Sequence, residues 1–108
     1  MPIWEVFPVT VKSWTEDYFE AAFRSNLSLL ANGKGCLDVK LLRAVDKQNT
    51  FMVLVQWASV ENHTAFTKSD ASAKFRSATG PFFAAPPDLF HAITVIDGFL
   101  STSQATPK

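Results

Sequence analysis

Apolar and polar residues alternate along the first part of the chain in a pattern that predicts a strand followed by a helix. Residues 3–11, IWEVFPVTV, carry β-branched and aromatic side chains at alternate positions, which is typical of a strand. Pro8 cannot donate a backbone hydrogen bond, so it indicates an edge strand or a bulge. Ser13 and Glu16 then form a capping-box pattern. Apolar residues recur at helical spacing until Gly33, which suits the left-handed position after a helix.

The middle and the end of the chain predict a hairpin, two short helices and a last strand. The stretches CLDVKLLRAV (36–45) and TFMVLVQWA (50–58) are predicted to be antiparallel strands joined by a turn at DKQN. The second stretch is apolar on both faces, as expected of a central strand. Ser59 is the predicted N-cap of one helix, and Ser69 or Asp70 that of the next. After a proline-rich aromatic loop, DLFHAITVIDGFL (88–100) predicts the final strand.

The order of these elements, β-α-β-β-α-β, predicts a ferredoxin-like α+β fold, in which helices cover one face of a four-stranded antiparallel sheet. Residues 1–100 are predicted to form this domain, and residues 101–108 a polar tail. Helices on one face leave the other face of the sheet uncovered. We therefore expect a homodimer in which two copies pair sheet against sheet.

Composition and charge exclude several classes of function. The chain has ten acidic and ten basic residues among 108, so no net field attracts nucleic acid or an acidic membrane. The lone Cys36 excludes an internal disulfide and fits a reducing compartment. With only His63 and His91 beside it, a metal site is not favoured. The chain shows neither a signal-peptide pattern nor an apolar run of about 20 residues, so we expect a cytoplasmic protein without membrane contact.

A run after the third predicted strand resembles a pattern of the antibiotic biosynthesis monooxygenase family. The stretch PFFAAPPDLFH is also similar to that family, in which a proline loop leads into a last strand with a histidine. The resemblance spans about residues 3–96, and it implies a dimeric α+β barrel. Its relatives include cofactor-free oxygenases that turn polycyclic phenols into quinones, heme-degrading enzymes, lactone isomerases and proteins of unknown activity. The residues that carry the pattern are Gln56, Trp57, Ser59, Glu61, His63, Phe66, Ser69 and Phe75.

The resemblance implies roles for particular side chains. Trp57 matches a pocket tryptophan of the quinone-forming members, and His63 stands where they have a tyrosine. Their helical arginine aligns with Arg76 if a gap of one residue is allowed, and their pocket asparagine is replaced here by Val53. Each match also has a structural interpretation. Trp57 and His91 suit a packed core, His63 a position next to a helix cap, and Arg76 the surface.

Oxygenation without a cofactor requires few groups from the protein. A phenol or anthrone that has lost a proton is electron-rich enough to reduce O₂, so the protein supplies a base, a donor or cation for the oxyanion, and a dry pocket. The candidate base is His63 or His91, and Arg76 or the Trp57 N–H is the candidate oxyanion partner. Periodicity leaves open which face of its strand His91 occupies. The predicted substrate-binding residues are Trp4, Phe7, Phe66, Phe75, Phe82 and Phe83, although Trp4 and Phe7 lie on opposite faces of one strand.

The sequence thus predicts a cofactor-independent monooxygenase that uses O₂ on a small hydrophobic, aromatic or polyketide-like secondary metabolite. The alternatives are a non-oxidative cyclase, decarboxylase or isomerase, and a non-enzymatic dimer that binds a hydrophobic ligand. No cofactor or metal is expected, since the chain has no glycine-rich nucleotide-binding pattern. Heme is less favoured, because the heme-degrading relatives use an asparagine on the first strand and a histidine where this chain has Thr67.

Overall fold

Four antiparallel strands form one sheet in the order β2-β3-β1-β4, with the helices on one of its faces. The computed structural model describes residues 1–99. This arrangement confirms the predicted ferredoxin-like α+β fold. The elements along the chain are β1 (Ile3–Thr10), α1 (Glu16–Ser25), α2 (Leu27–Ala31), β2 (Cys36–Arg43), β3 (Thr50–Trp57), α3 (Val60–Thr67), α4 (Asp70–Thr79), a 3₁₀ turn (Gly80–Phe82) and β4 (Phe90–Ala92).

The core lies between the sheet and the helices, because alternate residues of β1 and β3 point toward the helices. Ile3, Val9, Val55 and Trp57 are buried on this face. The strands β1 and β3 pair along their whole length, from Ile3 opposite Trp57 to Thr10 opposite Thr50. This register places Glu5 directly opposite Val55, so a carboxyl group enters the buried layer.

The other face of the sheet has no cover within the described part of the chain. It carries the intervening residues of the strands, among them Trp4, Val6 and Leu54, which are only half-buried. Leu42 and Phe90 are about half exposed, at 48% and 50% of their surface. An uncovered apolar sheet face was predicted from the sequence, and the structure contains it.

The ends of several elements differ from the sequence predictions. The capping box at Ser13 is wrong: α1 begins after Thr15, whose side chain caps no helix N–H, and Trp14 takes a left-handed φ of 68° in a tight turn. The last strand covers only residues 90–92 instead of 88–100. Pro8 does not mark an edge, because β1 lies between β3 and β4, but β4 pairs only with residues 4–6 and leaves position 8 unpaired on that side.

The helix caps predicted at Ser59 and Ser69 are confirmed. The side chain of Ser59 accepts a hydrogen bond from the backbone of Asn62, and Ser69 accepts one from Ser72. The predicted polar tail, residues 101–108, lies outside the described residues. Within residues 1–99, no helix has the length and apolar character that a membrane crossing demands. The cytoplasmic location stays a prediction of the sequence.

The loop between α2 and β2 fixes the position of α3. Gly33 does not take the predicted left-handed conformation. A side chain is disfavoured there for another reason, because a Cβ would lie 2.9 Å from Phe66 and 3.1 Å from Trp57. Gly35 has the left-handed φ of 83°, and its carbonyl accepts a hydrogen bond from Ala58 just after β3. These contacts hold the start of α3 against the end of the sheet.

The substitution Gly35→Ala is expected to destabilise the protein. Its Cβ would lie 2.4 Å from Asn62 Cγ, and the backbone would hold alanine at a positive φ, which together cost roughly 1–3 kcal/mol. Urea denaturation measures the change in free energy of unfolding. Gly80→Ala is the matched control, since the backbone there is helical, with a φ of −59°, and a Cβ meets open space. An unchanged unfolding midpoint for Gly35→Ala would contradict this account of the loop.

Candidate functional site

A cavity of about 340 Å³ lies between the helix-facing side of the sheet and the helices. Most of its wall is apolar and aromatic, and the polar groups are few, as in most small-molecule sites. The apolar wall includes Phe7, Phe23, Phe66, Phe75, Phe83 and Leu89, and the polar groups are Glu5, His63, Thr67, Ser72, Arg76 and Thr79.

Four of the six predicted substrate-binding residues line this cavity, namely Phe7, Phe66, Phe75 and Phe83. Trp4 does not, because it lies on the opposite face of β1, where its indole N–H donates to the Thr94 hydroxyl at 3.2 Å. Phe82 also lies outside the lining and packs against Phe19, with their ring centroids 6.2 Å apart.

A buried polar cluster joins β1, β3 and α3 at the cavity wall. Trp57 is fully buried, and its indole N–H donates to Glu5 Oε1 at 2.9 Å. His63 Nε2 lies 3.2 Å from the same oxygen, and the His63 ring stacks on the Trp57 ring at 5.4 Å between centroids. The sequence suggested that the Trp57 N–H could bind the oxyanion of a substrate. In the structure Glu5 engages this single N–H, so it is not free for that role.

His91 extends this cluster toward the solvent. It lies opposite Glu5 in the β1–β4 register, so it occupies the helix-facing side of β4, which periodicity alone left open. His91 Nε2 lies 2.7 Å from His63 Nδ1, and the two rings meet edge to face. The side chain of His91 is exposed and lies outside the cavity lining. The structure thus brings both histidines together, but only His63 lines the cavity.

The short connection after β3 explains how His63 reaches Trp57. Only Ala58 and Ser59 separate the end of β3 from α3, and the Ser59 side chain caps the helix. The helix therefore starts close to the end of β3, and its first turn carries His63 back over Trp57.

Burial changes the acidity of both titratable groups in the core of this cluster. The pKa of Glu5 is raised by burial, and the hydrogen bond from Trp57 partly opposes this change. The pKa of His63 is lowered by burial and, to a lesser extent, by the charge of His91. At neutral pH, the contact between Glu5 and His63 is therefore one between a carboxyl group and a neutral imidazole, and not an ion pair.

Arg76 supplies the cationic group of the cavity. Its side chain is exposed, and its guanidinium contacts the Ser72 hydroxyl at 2.5 Å and the Thr67 carbonyl at 3.3 Å. Within residues 1–99, no carboxylate lies within ion-pair distance of Arg76. Its charge is thus available to an anionic group of a ligand.

Glu5 was not among the site residues predicted from the sequence, although its strand carries a signal for it. On β1 the helix-facing set is Ile3, Glu5, Phe7 and Val9, in which Glu5 is the one charged residue. When a carboxylate stands among apolar residues on the buried face of a strand, either the face has been assigned wrongly or the group is buried for a functional reason. Within the described residues, no group of three or more His, Cys, Asp or Glu could hold a metal ion.

Comparisons with known proteins converge on one family. The model of the antibiotic biosynthesis monooxygenase family matches residues 2–78. A Bordetella bronchiseptica protein named for that family is 29% identical, with a TM-score of 0.84, and the match covers 88% of this chain and 98% of that one. A Caulobacter crescentus protein named likewise is 25% identical, with a TM-score of 0.76 and coverage of 88% and 91%.

Two further matches extend the comparison. SnoaB of Streptomyces nogalater, a cofactor-independent oxygenase, has a TM-score of 0.78 at 16% identity, covers 90% of this chain and 96% of its own, and shares the fold. The uncharacterized protein YczJ of Bacillus subtilis is 26% identical over 82 residues, which are 75% of this chain and 86% of YczJ.

The pH dependence of stability should reveal the buried carboxyl group. Because the pKa of Glu5 is raised in the folded state, its contribution to stability is fully present below the unfolded pKa and is lost as the pH rises through the folded pKa. We expect the free energy of unfolding of the wild type, relative to Glu5→Gln, to fall as the pH increases from about 4 toward neutrality.

Urea unfolding of both proteins over this pH range gives the measurement. His63, His91 and Cys36 are present in both proteins, so their own contributions to stability largely cancel in the difference. Glu61→Gln, at an exposed position of α3, is the control for the loss of one acidic group. A difference that is constant with pH, or that rises, would be evidence against a raised pKa at Glu5.

Proposed function

The chain belongs to the antibiotic biosynthesis monooxygenase family, and from this premise we propose that it is a cofactor-independent monooxygenase of a small hydrophobic, aromatic or polyketide-like molecule. The observation that carries the proposal is the apolar cavity with Glu5 and His63 in its wall, where the buried Trp57 and the exposed His91 contact them. An apolar cavity binds a flat hydrophobic substrate, and the cluster can accept a proton from it.

The size and walls of the cavity favour a fused aromatic substrate. A volume of about 340 Å³ falls within the usual range for sites of small molecules. Phe7, Phe66, Phe75 and Phe83 present rings and ring edges, against which an aromatic ligand packs well. Arg76 on the same cavity is suited to a phenolate or carboxylate oxygen of that ligand.

The reaction balances with O₂ as the oxidant. Removal of a proton from a substrate CH₂ between two aromatic rings leaves an electron-rich anion. The anion gives electrons to O₂, and a C–O bond forms to one oxygen atom. Loss of water from the resulting hydroperoxide carries away the other oxygen atom together with both hydrogens of the CH₂, and the product is a ketone or quinone. The substrate itself supplies the electrons, so flavin or heme is not required.

Two features support a reaction without a cofactor. The same fold carries a cofactor-independent oxygenase in SnoaB, so the scaffold is compatible with this chemistry. His63 has both ring nitrogens within hydrogen-bond distance of protein groups, which leaves neither of them free to ligate a heme iron. The protein is therefore proposed to work with O₂ and substrate alone.

Oxygen uptake provides the test of this proposal. The purified protein, without added flavin, heme or metal, is expected to accelerate O₂ consumption by 1,8-dihydroxyanthrone and to yield the corresponding quinone, with no loss of rate after treatment with a chelator. A reaction without protein corrects for spontaneous oxidation. Conversion of the probe without O₂ uptake would indicate a non-oxidative enzyme, and binding without conversion would indicate a ligand-binding protein; either result overturns the monooxygenase proposal.

We propose that a second copy of the chain covers the open face of the sheet. Trp4, Val6 and Leu54 on this face are too apolar for a surface that stays in water. Beyond β4, Ile93, Val95, Ile96 and Phe99 are also exposed, which extends the apolar surface available to a partner. Burial of these groups between two copies would stabilise both chains.

A charge on the open face should separate the two copies. Leu54→Asp is expected to shift the protein from dimer to monomer in sedimentation at micromolar concentration, because a carboxylate buried between two apolar sheets is strongly unfavourable. Val45→Asp, at a fully exposed position outside the strands, is the matched control and should sediment like the wild type. A wild-type monomer would contradict the proposed pairing.

A further inference from the structure

We propose that Glu5, and not either histidine, is the group that removes the proton from the substrate, while His63 and His91 are positioning residues that hold it. The proposal rests on the proposed function for its substrate class. It follows from which atoms of the cluster are engaged and which atom of a cavity-lining residue is left without a partner.

The two nitrogens of His63 are both occupied. Its Nε2 lies 3.2 Å from Glu5 Oε1, and its Nδ1 lies 2.7 Å from His91 Nε2. A neutral imidazole has one N–H and one lone pair. When Nε2 carries the proton, it faces the Glu5 carboxylate, and the lone pair on Nδ1 accepts the N–H of His91. When Nδ1 carries the proton, it donates to His91, and the Nε2 lone pair faces Glu5, from which it can accept only if the carboxyl group is protonated. His63 thus has no lone pair directed at a substrate, although it lines the cavity.

His91 is not placed to act on the substrate either. It is exposed and outside the cavity lining, and its contact with the cluster is made through His63. Its position opposite Glu5 on the neighbouring strand suits a different role, which is to fix the tautomer and orientation of the His63 ring.

Glu5 has the free atom that the histidines lack. Its Oε1 lies next to both the Trp57 N–H and the His63 Nε2, whereas its Oε2 makes no hydrogen bond to any group in residues 1–99. The side chain is only 8% exposed and lines the cavity. A buried carboxylate oxygen without a partner is unfavourable, so this oxygen is the natural acceptor for an O–H or acidic C–H of a bound molecule.

The environment of Glu5 favours this role. Burial raises the pKa of Glu5, and a carboxylate with a raised pKa is a stronger base. The other titratable or charged groups around it are His63 on α3, His91 on β4, Cys36 on β2 and Arg76 on the same cavity. Arg76 is the cation among them that is free to stabilise the substrate anion as it forms.

The proton transfer is balanced within the site. The bond between the substrate and its acidic hydrogen breaks, the electron pair stays on the substrate, and the proton binds Glu5 Oε2 to give a neutral carboxylic acid. Later, the acid returns this proton to the oxygen that leaves as water. Glu5 is then a carboxylate again, and Trp57 and His63 keep Oε1 fixed throughout the cycle.

Anaerobic mixing with 1,8-dihydroxyanthrone separates proton removal from oxygenation. Wild-type protein is expected to convert the bound probe to its coloured anion, which absorbance reports. Glu5→Gln should bind the probe but form the anion slower by a factor on the order of 10² or more. His91→Ala should slow anion formation by a smaller factor than Glu5→Gln does, because it removes only a partner of His63, and Glu61→Gln, at an exposed position on α3, should keep the wild-type rate.

Several outcomes would overturn the assignment of Glu5. These are formation of the anion by Glu5→Gln at the wild-type rate, failure of the wild type to form it, or a loss in His91→Ala as large as in Glu5→Gln. Circular dichroism and tryptophan fluorescence show whether each variant is folded and binds the probe. Glutamine keeps an acceptor oxygen for Trp57, so Glu5→Gln preserves the shape of the cluster.

A measurement on the wild type alone guards against a variant that fails to fold. When the anion forms without O₂, the infrared difference spectrum should gain the C=O stretch of a protonated carboxyl group. Gain of imidazolium bands instead would identify a histidine as the base and overturn the proposal. Admission of air then tests the proposed function separately: an anion that depends on Glu5 but consumes no O₂ would leave Glu5 as the base of a non-oxidative enzyme.

Discussion

The hydrogen bond between the Trp57 indole and the Glu5 carboxyl group is the interaction on which the rest of the site depends. A carboxyl group in the apolar layer of a small domain is costly to bury unless it has partners. Trp57, from the neighbouring strand, and His63, from the helix that follows, provide those partners. The same contacts couple β1, β3 and α3, so the polar cluster and the packing of the core are set by one group of side chains.

The aromatic residues explain why a cavity exists above this cluster. Phe19 packs edge-on against Phe51 at 4.9 Å, and Phe23 against Phe75 at 5.3 Å, which joins the helices to each other and to the sheet. Edge-to-face packing is a geometry that aromatic pairs prefer, so these contacts fix the positions of the rings around the cavity. The wall of this cavity also contains polar groups, which include Glu5, His63 and Arg76.

Local patterns in the sequence predicted the features that depend on neighbours along the chain. The caps at Ser59 and Ser69 and the order of strands and helices belong to this class. The capping box at Ser13 failed because the left-handed turn at Trp14 delays the helix, and nothing in the residue pattern signals that turn.

The polar cluster could be predicted only in part, since it depends on pairing between distant strands. The residues on both faces of the last predicted strand are apolar around His91. The face that His91 occupies therefore became known only from its pairing with Glu5. Trp57 and His63 were identified from the resemblance, but their shared partner was not. Glu5 is separated from Trp57 by 52 positions, and its role appears only when β1 and β3 are paired.

The alternation along β1 has a consequence for how the protein can evolve. Glu5 and Phe7 point toward the cavity, whereas Trp4 and Val6 between them point to the open face of the sheet. Insertion or deletion of one residue in this strand would exchange the two sets, turning the carboxyl group outward and the indole inward. Natural variation in this strand should therefore occur by substitution at fixed length.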